Sequence, residues 1–463
     1  MAGAGHRTVR DWHRYQYRRD DRGQHGFDDA FRLHRDRRRS EPRRPPRIAH
    51  PSVRCQHHRE RGDIPGSEGT RAVEGSGRDN CERESEAGAN LRFEWDVQAI
   101  VKTAEQLDQE ILELIGQGLE NRDDAQFNRL ALDLFEYQFA RNQPYQNFCH
   151  RRGVEPAGVS SWRDMPAVPT SAFKDAALAC FPVEQAAVVF ETSGTTQSTA
   201  KRGRHYLQTT DLYRESIIPN FAAHLLTDEA TPPLLILTPP PEDAPHSSLS
   251  FMMGVVAGEF GRRGSNYFIR DGQLEARRLA DALQMAVGFG EPVILLGTAF
   301  AFVHFFEWCE ENQQSFRLPK GSRAMETGGF KGKSREMPKE ELWQLFDDYL
   351  LLSSDRIVNE YGMTELGTQF YDVKLNLSTH KFVPPWSRVL IVDPATGDEV
   401  GMGERGLIRI FDLTNRSSVM AIQTEDIGIR RAQGFEVIGR AIGAEARGCS
   451  IAADEFLAAN QRQ

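Results

Sequence analysis

The chain of 463 residues carries a formal net charge of -9, and 39% of it is hydrophobic. That length allows one large domain with a smaller unit, or two to three domains, and the low apolar share places part of it outside any core. The mildly acidic balance argues against a nucleic-acid partner, and the lack of any run of about 18 apolar residues argues against a transmembrane helix.

Residues 1–90 hold about 20 arginines, about 15 acids, no lysine and one leucine, Leu33. So polar a segment buries too little apolar surface to offset its ordering entropy, which predicts a disordered Arg-rich tail. Its cluster from Arg35 to Arg47 offers an anion-binding alternative, and a start codon called too early offers another. The acids are unlike a mitochondrial-type targeting peptide, and no apolar signal segment opens the chain. Six scattered cysteines without a CxxC pair suggest neither a zinc site nor a disulfide framework, so a reduced, cytoplasmic setting is expected.

From Leu91 the text reads as globular. Val97, Ile100, Val101, Ala104, Leu107, Ile111, Leu114 and Ile115 recur at helical spacing. A second helix is expected over Asp124–Ala140, with Phe127, Leu130, Leu134, Phe135 and Phe139 on one face. Strands are expected at 187–190, 234–237, 293–296, 389–392 and 407–411, and helices at 274–286, 302–311 and 339–351. This alternation predicts an α/β core over residues 91–385, followed by a β-rich closing subdomain over 386–463.

Three segments carry chemistry. The expected strand ending at Phe190 leads into Glu191-Thr192-Ser193-Gly194-Thr195-Thr196, then Lys201, Arg202 and Arg204. Clustered hydroxyls, a glycine that lets backbone approach and three cations suit a polyphosphate, although the P-loop pattern is absent. A flexible Ser/Thr-rich surface loop is the bland alternative. Ile357–Glu360 then runs into Tyr361-Gly362-Met363-Thr364-Glu365, where Glu365 suits Mg²⁺, Thr364 a phosphate oxygen and Tyr361 a purine face; an ordinary turn with a solvated glutamate is the alternative. Finally, Asp426 and Arg440 offer a carboxylate and a guanidinium to ribose hydroxyls, or are simply a turn former and a surface charge.

Together, in this order and at these separations, the three segments resemble the adenylate-forming superfamily, over about residues 95 to 450. Thr192–Thr196 is similar to its phosphate loop, Tyr361–Glu365 to its YGxTE motif, and Gly439-Arg440 to its hinge motif. Gly203-Arg204-His205-Tyr206, Glu326-Thr327-Gly328-Gly329-Phe330-Lys331 and the ending Gly439–Ser450 resemble the acyl-protein synthetases of the bacterial luminescence fatty-acid reductase complex. That resemblance implies an acid–thiol ligase that uses ATP and Mg²⁺ to activate a long-chain fatty acid as acyl-AMP. It also implies that Cys449 receives the acyl group and passes it to a reductase subunit. Thr192–Thr196, Lys201, Tyr361, Gly362, Thr364, Glu365, Asp426 and Arg440 would hold the nucleotide, and Lys331 would meet phosphate or the acyl carboxylate.

Two departures stand out. The Gly-x-Pro-Lys that usually follows TSGTT is missing, and the sequence runs only about 20 residues past Arg440. The superfamily's C-terminal lid, with its catalytic lysine, is therefore expected to be absent or vestigial, which leaves charge stabilisation in adenylation unassigned. A ligase that transfers to free CoA or a carrier-protein thiol is the alternative, and a degenerate nucleotide-binding scaffold a third reading. Cys149, Cys180 and Cys309 sit in or beside apolar helical text and read as packing residues. His246 reads as either an acyl-pocket residue or a satisfied structural histidine.

Overall fold

The computed structural model describes residues 101–192, 201–227, 231–328, 337–373, 380–441 and 444–460, with backbone alone along 444–451. Helix α1 (Ala104–Gly116) begins where Thr103 and Gln106 form a reciprocal capping box, and it buries Leu107, Ile111, Leu114 and Ile115. The apolar period gives no such start signal, so the expected helix ran too far upstream; Val97 and Ile100 lie outside the described residues. Helix α2 (Asp124–Arg141) is capped by Asp123 and buries the expected face, with Phe139 half-buried against Phe135. Helix α3 (Gln143–Arg151) follows a single capping residue, Asn142.

The chain then forms β1 (Val168–Pro169), a short helix α4 (Ala172–Asp175), and a hairpin of β2 (Val188–Glu191) and β3 (Arg204–Leu207). Helix α5 (Asp211–Leu225), β4 (Leu234–Leu237), α6 (Ser248–Phe260) and β5 (Asn266–Tyr267) come next. A short hairpin, β6 (Ile269–Arg270) with β7 (Gln273–Leu274), precedes α7 (Ala276–Phe289), β8 (Ile294–Thr298) and α8 (Ala299–Glu311). Then come β9 (Arg323–Thr327), α9 (Lys339–Leu350), β10 (Ile357–Tyr361) and β11 (Phe370–Tyr371). Strands β5, β4, β8, β9 and β10 lie side by side and parallel, and β11 closes the edge antiparallel to β10. Apolar clusters cover both faces: α7, α8 and α9 supply one, and α5 and α6 the other. This is why β4 reads Leu-Leu-Ile-Leu without alternation, every residue buried.

A second sheet is antiparallel: β12 (His380–Lys381), β16 (Gly434–Arg440), β15 (Ala421–Arg431), β14 (Arg405–Asp412) and β13 (Ser387–Val392), in that order, with β1 parallel to β15. Helices α1 to α3 share one core with it, so Phe148, Trp162 and Ile422 belong to the same cluster. The last helix, α10 (Ala444–Asn460), docks on α3. Phe456 lies 5.6 Å from the Phe148 ring, Glu455 pairs with Arg152, and the Asn460 amide donates to the Pro144 carbonyl at 3.2 Å.

Several elements were not expected from the sequence, α3, α6 and α10 among them, and two others show why. Strand β9 reads Arg-Ala-Met-Glu-Thr, yet all five residues are buried: Arg323 donates to the Leu225 carbonyl at 2.9 Å, and Glu326 accepts from the Asn359 amide at 2.8 Å. Helix α5 carries Pro219 in its interior and buries the polar Ser216, Asn220 and His224 among its apolar residues, so neither propensity nor periodicity marks it.

Candidate active site

The hairpin β2–β3 holds the ends of the hydroxyl-rich loop. The Thr192 amide donates to the Gly203 carbonyl at 2.9 Å, and the Gly203 amide donates to Thr192 Oγ1 at 3.0 Å. A Cβ on Gly203 would stand 3.1 Å from Thr192 Cγ2, so a glycine suits this tight closure. Ser193, Gly194, Thr195 and Thr196 lie outside the described residues. Lys201 is exposed, while Arg202 and Arg204 each stand 3.4 Å from Glu191. His246 is exposed and bonds the Val189 carbonyl through Nδ1 at 3.0 Å, a contact that ties it to β2.

Two residues into β3, His205 is fully buried and its Nδ1 meets the Thr364 carbonyl at 2.8 Å. Burial pushes the imidazole down to about 4, so the ring is neutral near pH 7. A carbonyl only accepts, so the hydrogen sits on Nδ1 and leaves Nε2 as a bare acceptor. His205 stands in the Gly203–Tyr206 motif, but its role is not legible there, because its link to Thr364 is a long-range contact that spacing does not reveal.

Strand β10 delivers Tyr361 and the turn after it. A Cβ on Gly362 would meet the Glu360 carboxylate at 2.4 Å, so a larger residue here would displace that side chain. The turn is held by backbone bonds: the Glu365 carbonyl accepts from Asn415 Nδ2 at 2.8 Å, and the Gly367 amide donates to Asp412 Oδ2 at 3.0 Å. The other Asp412 oxygen accepts from the Thr368 and Thr414 hydroxyls at 2.7 and 2.6 Å. Glu365 itself is only 8% exposed. Asp412 and Asn415 were not anticipated either, since each acts on a segment some fifty residues earlier.

The third part lies on β15 and β16, whose register sets Asp426 directly opposite Arg440. Arg440 Nε is 3.8 Å from Asp426 Oδ1, and its Nη1 is 3.4 Å from Glu425. Tyr361 donates its hydroxyl to Asp426 Oδ2 at 2.9 Å, and its ring meets Phe435 edge-on at 5.9 Å. Burial, followed by the Asp426 charge, holds the phenol well above its ordinary range, so the hydroxyl stays a donor. A carboxylate has about four acceptor positions, so Asp426 keeps capacity for further donors.

Lys331 lies outside the described residues. Cys449 falls in the first half of α10, where only the backbone is described. Cys149, Cys180 and Cys309 are buried, and burial pushes each thiol up to about 12. Since a thiolate is the attacking form, these three are unsuited to acyl transfer. Among the described residues no helix is long and apolar enough to cross a membrane.

The architecture is that of the adenylate-forming enzymes. A structure of 2-hydroxyisobutyryl-CoA ligase in the postadenylation state, in complex with 2-HIB-AMP, superimposes with a TM-score of 0.51 at 13% identity, covering 70% of this chain and 72% of that one. An open conformation of the same ligase in complex with 2-HIB-AMP and CoA gives 0.50 at 14% identity, covering 68% and 70%. The chain belongs to the LuxE acyl-protein synthetase family, whose sequence profile matches residues 96–458. It is similar to the long-chain-fatty-acid–luciferin-component ligase of Vibrio harveyi, at 23% identity over 72% of this chain and 88% of that protein. The ligase of the same name from Aliivibrio fischeri is likewise 23% identical, over 65% and 78%. The protein is thus an enzyme of ligase type.

Proposed function

We propose that this ligase activates a long-chain fatty acid with ATP and then acylates its own Cys449. A carboxylate is a poor electrophile, so one of its oxygens first attacks the α-phosphorus of ATP. A P–O bond forms, the bond to pyrophosphate breaks, and acyl-AMP remains. The Cys449 thiol then loses its proton and attacks the acyl carbon, AMP leaves, and a thioester results. A reductase subunit is the acceptor that follows, and the reaction runs in the reduced cytoplasm.

The observation that supports this reading most is a connected set of contacts between three remote segments. His205, at the exit of the hydroxyl-rich loop, holds Thr364; Tyr361, in the same motif, holds Asp426; and Asp426 faces Arg440. In the proposal Asp426 and Arg440 receive the ribose hydroxyls. Thr192, Thr195, Thr196 and Lys201 receive the outer phosphates. A single buried carboxylate on a fixed turn suits Mg²⁺, which takes one or two protein oxygens and keeps its waters, so Glu365 would hold it and the ion would neutralise phosphate charge. The chain's own part is largely to orient the reactants and meet developing charge with fixed donors.

Intact-protein mass after incubation with ATP, Mg²⁺ and a dodecanoate-to-octadecanoate series tests the reading. The expected result is an acyl-sized, hydroxylamine-sensitive gain that Cys449→Ser removes. Release of AMP and pyrophosphate without any adduct would instead identify a ligase for a free thiol.

A further inference from the structure

Behind the proposed nucleotide site lies a buried polar cluster with no role in the chemistry above. Lys381, on β12, is 1% exposed. Its ammonium donates to the Asn359 carbonyl at 2.8 Å and to the Asn359 side-chain oxygen, and it forms an ion pair with Asp372 Oδ1 at 2.8 Å. Lys339 takes the other Asp372 oxygen at 2.7 Å. Glu326 Oε1 accepts from Asn359 Nδ2 at 2.8 Å, which turns the amide so that its oxygen faces Lys381. Burial opposes the charge on Asp372, yet the two ammoniums outweigh it and hold that carboxyl below its usual range.

The topology gives this cluster its meaning. Asn359 is in the parallel sheet, on the strand that ends in Tyr361, and Asp372 directly follows the edge strand β11. The backbone of Lys381 belongs to the antiparallel sheet, where it pairs with Phe435 of β16, the strand that ends in Arg440. A Cβ on Gly434, at φ +120°, would lie 2.0 Å from the Lys381 carbonyl, so β12 and the turn into β16 are packed as closely as a glycine permits. The Lys381 main chain also bridges to Asp372, flanked by the Val373 amide on the His380 carbonyl at 2.9 Å and the Phe382 amide on the Tyr371 carbonyl at 2.8 Å, so backbone pairing and the buried charge together tie the two sheets. An ion pair this deep is seldom more stabilising than apolar packing of equal volume, whereas its directional bonds penalise any sliding between sheets.

We infer that Lys381 is a positioning residue for nucleotide binding: it locks the register between the two sheets, and so sets Tyr361 against the Asp426–Arg440 pair. This rests on the nucleotide reading of that pair. The role separates from plain stabilisation, because it acts on affinity through the Tyr361–Asp426 contact.

The test is MgATP binding by titration calorimetry on the full chain, with the melting temperature recorded alongside. Lys381→Met is expected to weaken binding about tenfold, and Asn359→Ser, which leaves both lysines paired with Asp372, about threefold. In the Tyr361→Phe background, Lys381→Met is expected to lose less than in the wild type, since both act on one contact. Unchanged affinity in Asn359→Ser, or losses in the double variant that simply multiply, would overturn the inference. If Lys381→Met does not fold, Asn359→Ser decides alone. Asp426→Ala is the control: weakened binding there with unchanged Asn359→Ser rejects only the role of Lys381. Unchanged binding in Asp426→Ala rejects the nucleotide reading and the inference with it.

Discussion

The two sheets contribute to the site in opposite ways. The parallel sheet supplies a turn whose backbone is clamped by His205, Asn415 and Asp412, and whose Glu365 is almost wholly buried. The antiparallel sheet supplies side chains near a strand end, with the Arg440 side chain 59% exposed and that of Asp426 13%. Backbone clamped by buried partners costs stability when a partner is lost, because the orphaned groups have no water to turn to. A solvated side chain such as that of Arg440 costs mainly affinity when it is lost, because solvent replaces the missing contact.

That contrast is broken most directly by Asp412→Ala, which orphans two amides and two hydroxyls at once. It is expected to lower the unfolding free energy by about 3 kcal/mol or more in a denaturant titration; an unchanged midpoint would show that the turn does not depend on the clamp. His205 sharpens the same side through pH. Its folded value, about 4, is below the ordinary 6.5, so the unfolded chain binds the proton first as pH falls. Stability from this residue is full above pH 6.5 and declines on acidification through that window, the loss reaching up to about 3 kcal/mol at its acid end. In His205→Asn, which keeps a donor near Nδ1, that part of the acid slope should vanish.

On the open side, Asp426→Ala is expected to raise the KM for ATP in pyrophosphate exchange by about 30-fold, with a stability loss of about 1 kcal/mol from the orphaned Tyr361 hydroxyl, well short of that in Asp412→Ala. Arg440→Ala should give a smaller rise, about fivefold, since its guanidinium is largely solvated. A large stability loss in either would place them with the clamped turn instead.

Much of the frame was legible. Core strands such as Leu234–Leu237 and the faces of α1 and α2 announce themselves, because burial on two faces or one leaves a continuous or periodic apolar record. The order of the hydroxyl-rich loop, Tyr361–Glu365, Asp426 and Arg440 was likewise readable, because each is a short local pattern. The supports were not. Asp412, Asn415 and Lys381 look like ordinary turn or surface residues until the chain folds, and β9 hides as a polar string because its partners are remote.

The sequence by itself determined which segments carry hydroxyls, carboxylates and cations, and which stretches must be covered by apolar neighbours. Only the tertiary structure decided that Tyr361 meets Asp426, that His205 holds Thr364 as a neutral donor, and that Lys381 spans two sheets. The physical reason is distance along the chain. Local patterns encode propensity and burial, whereas a hydrogen bond between residues 65 or 159 positions apart exists only once both sheets have packed.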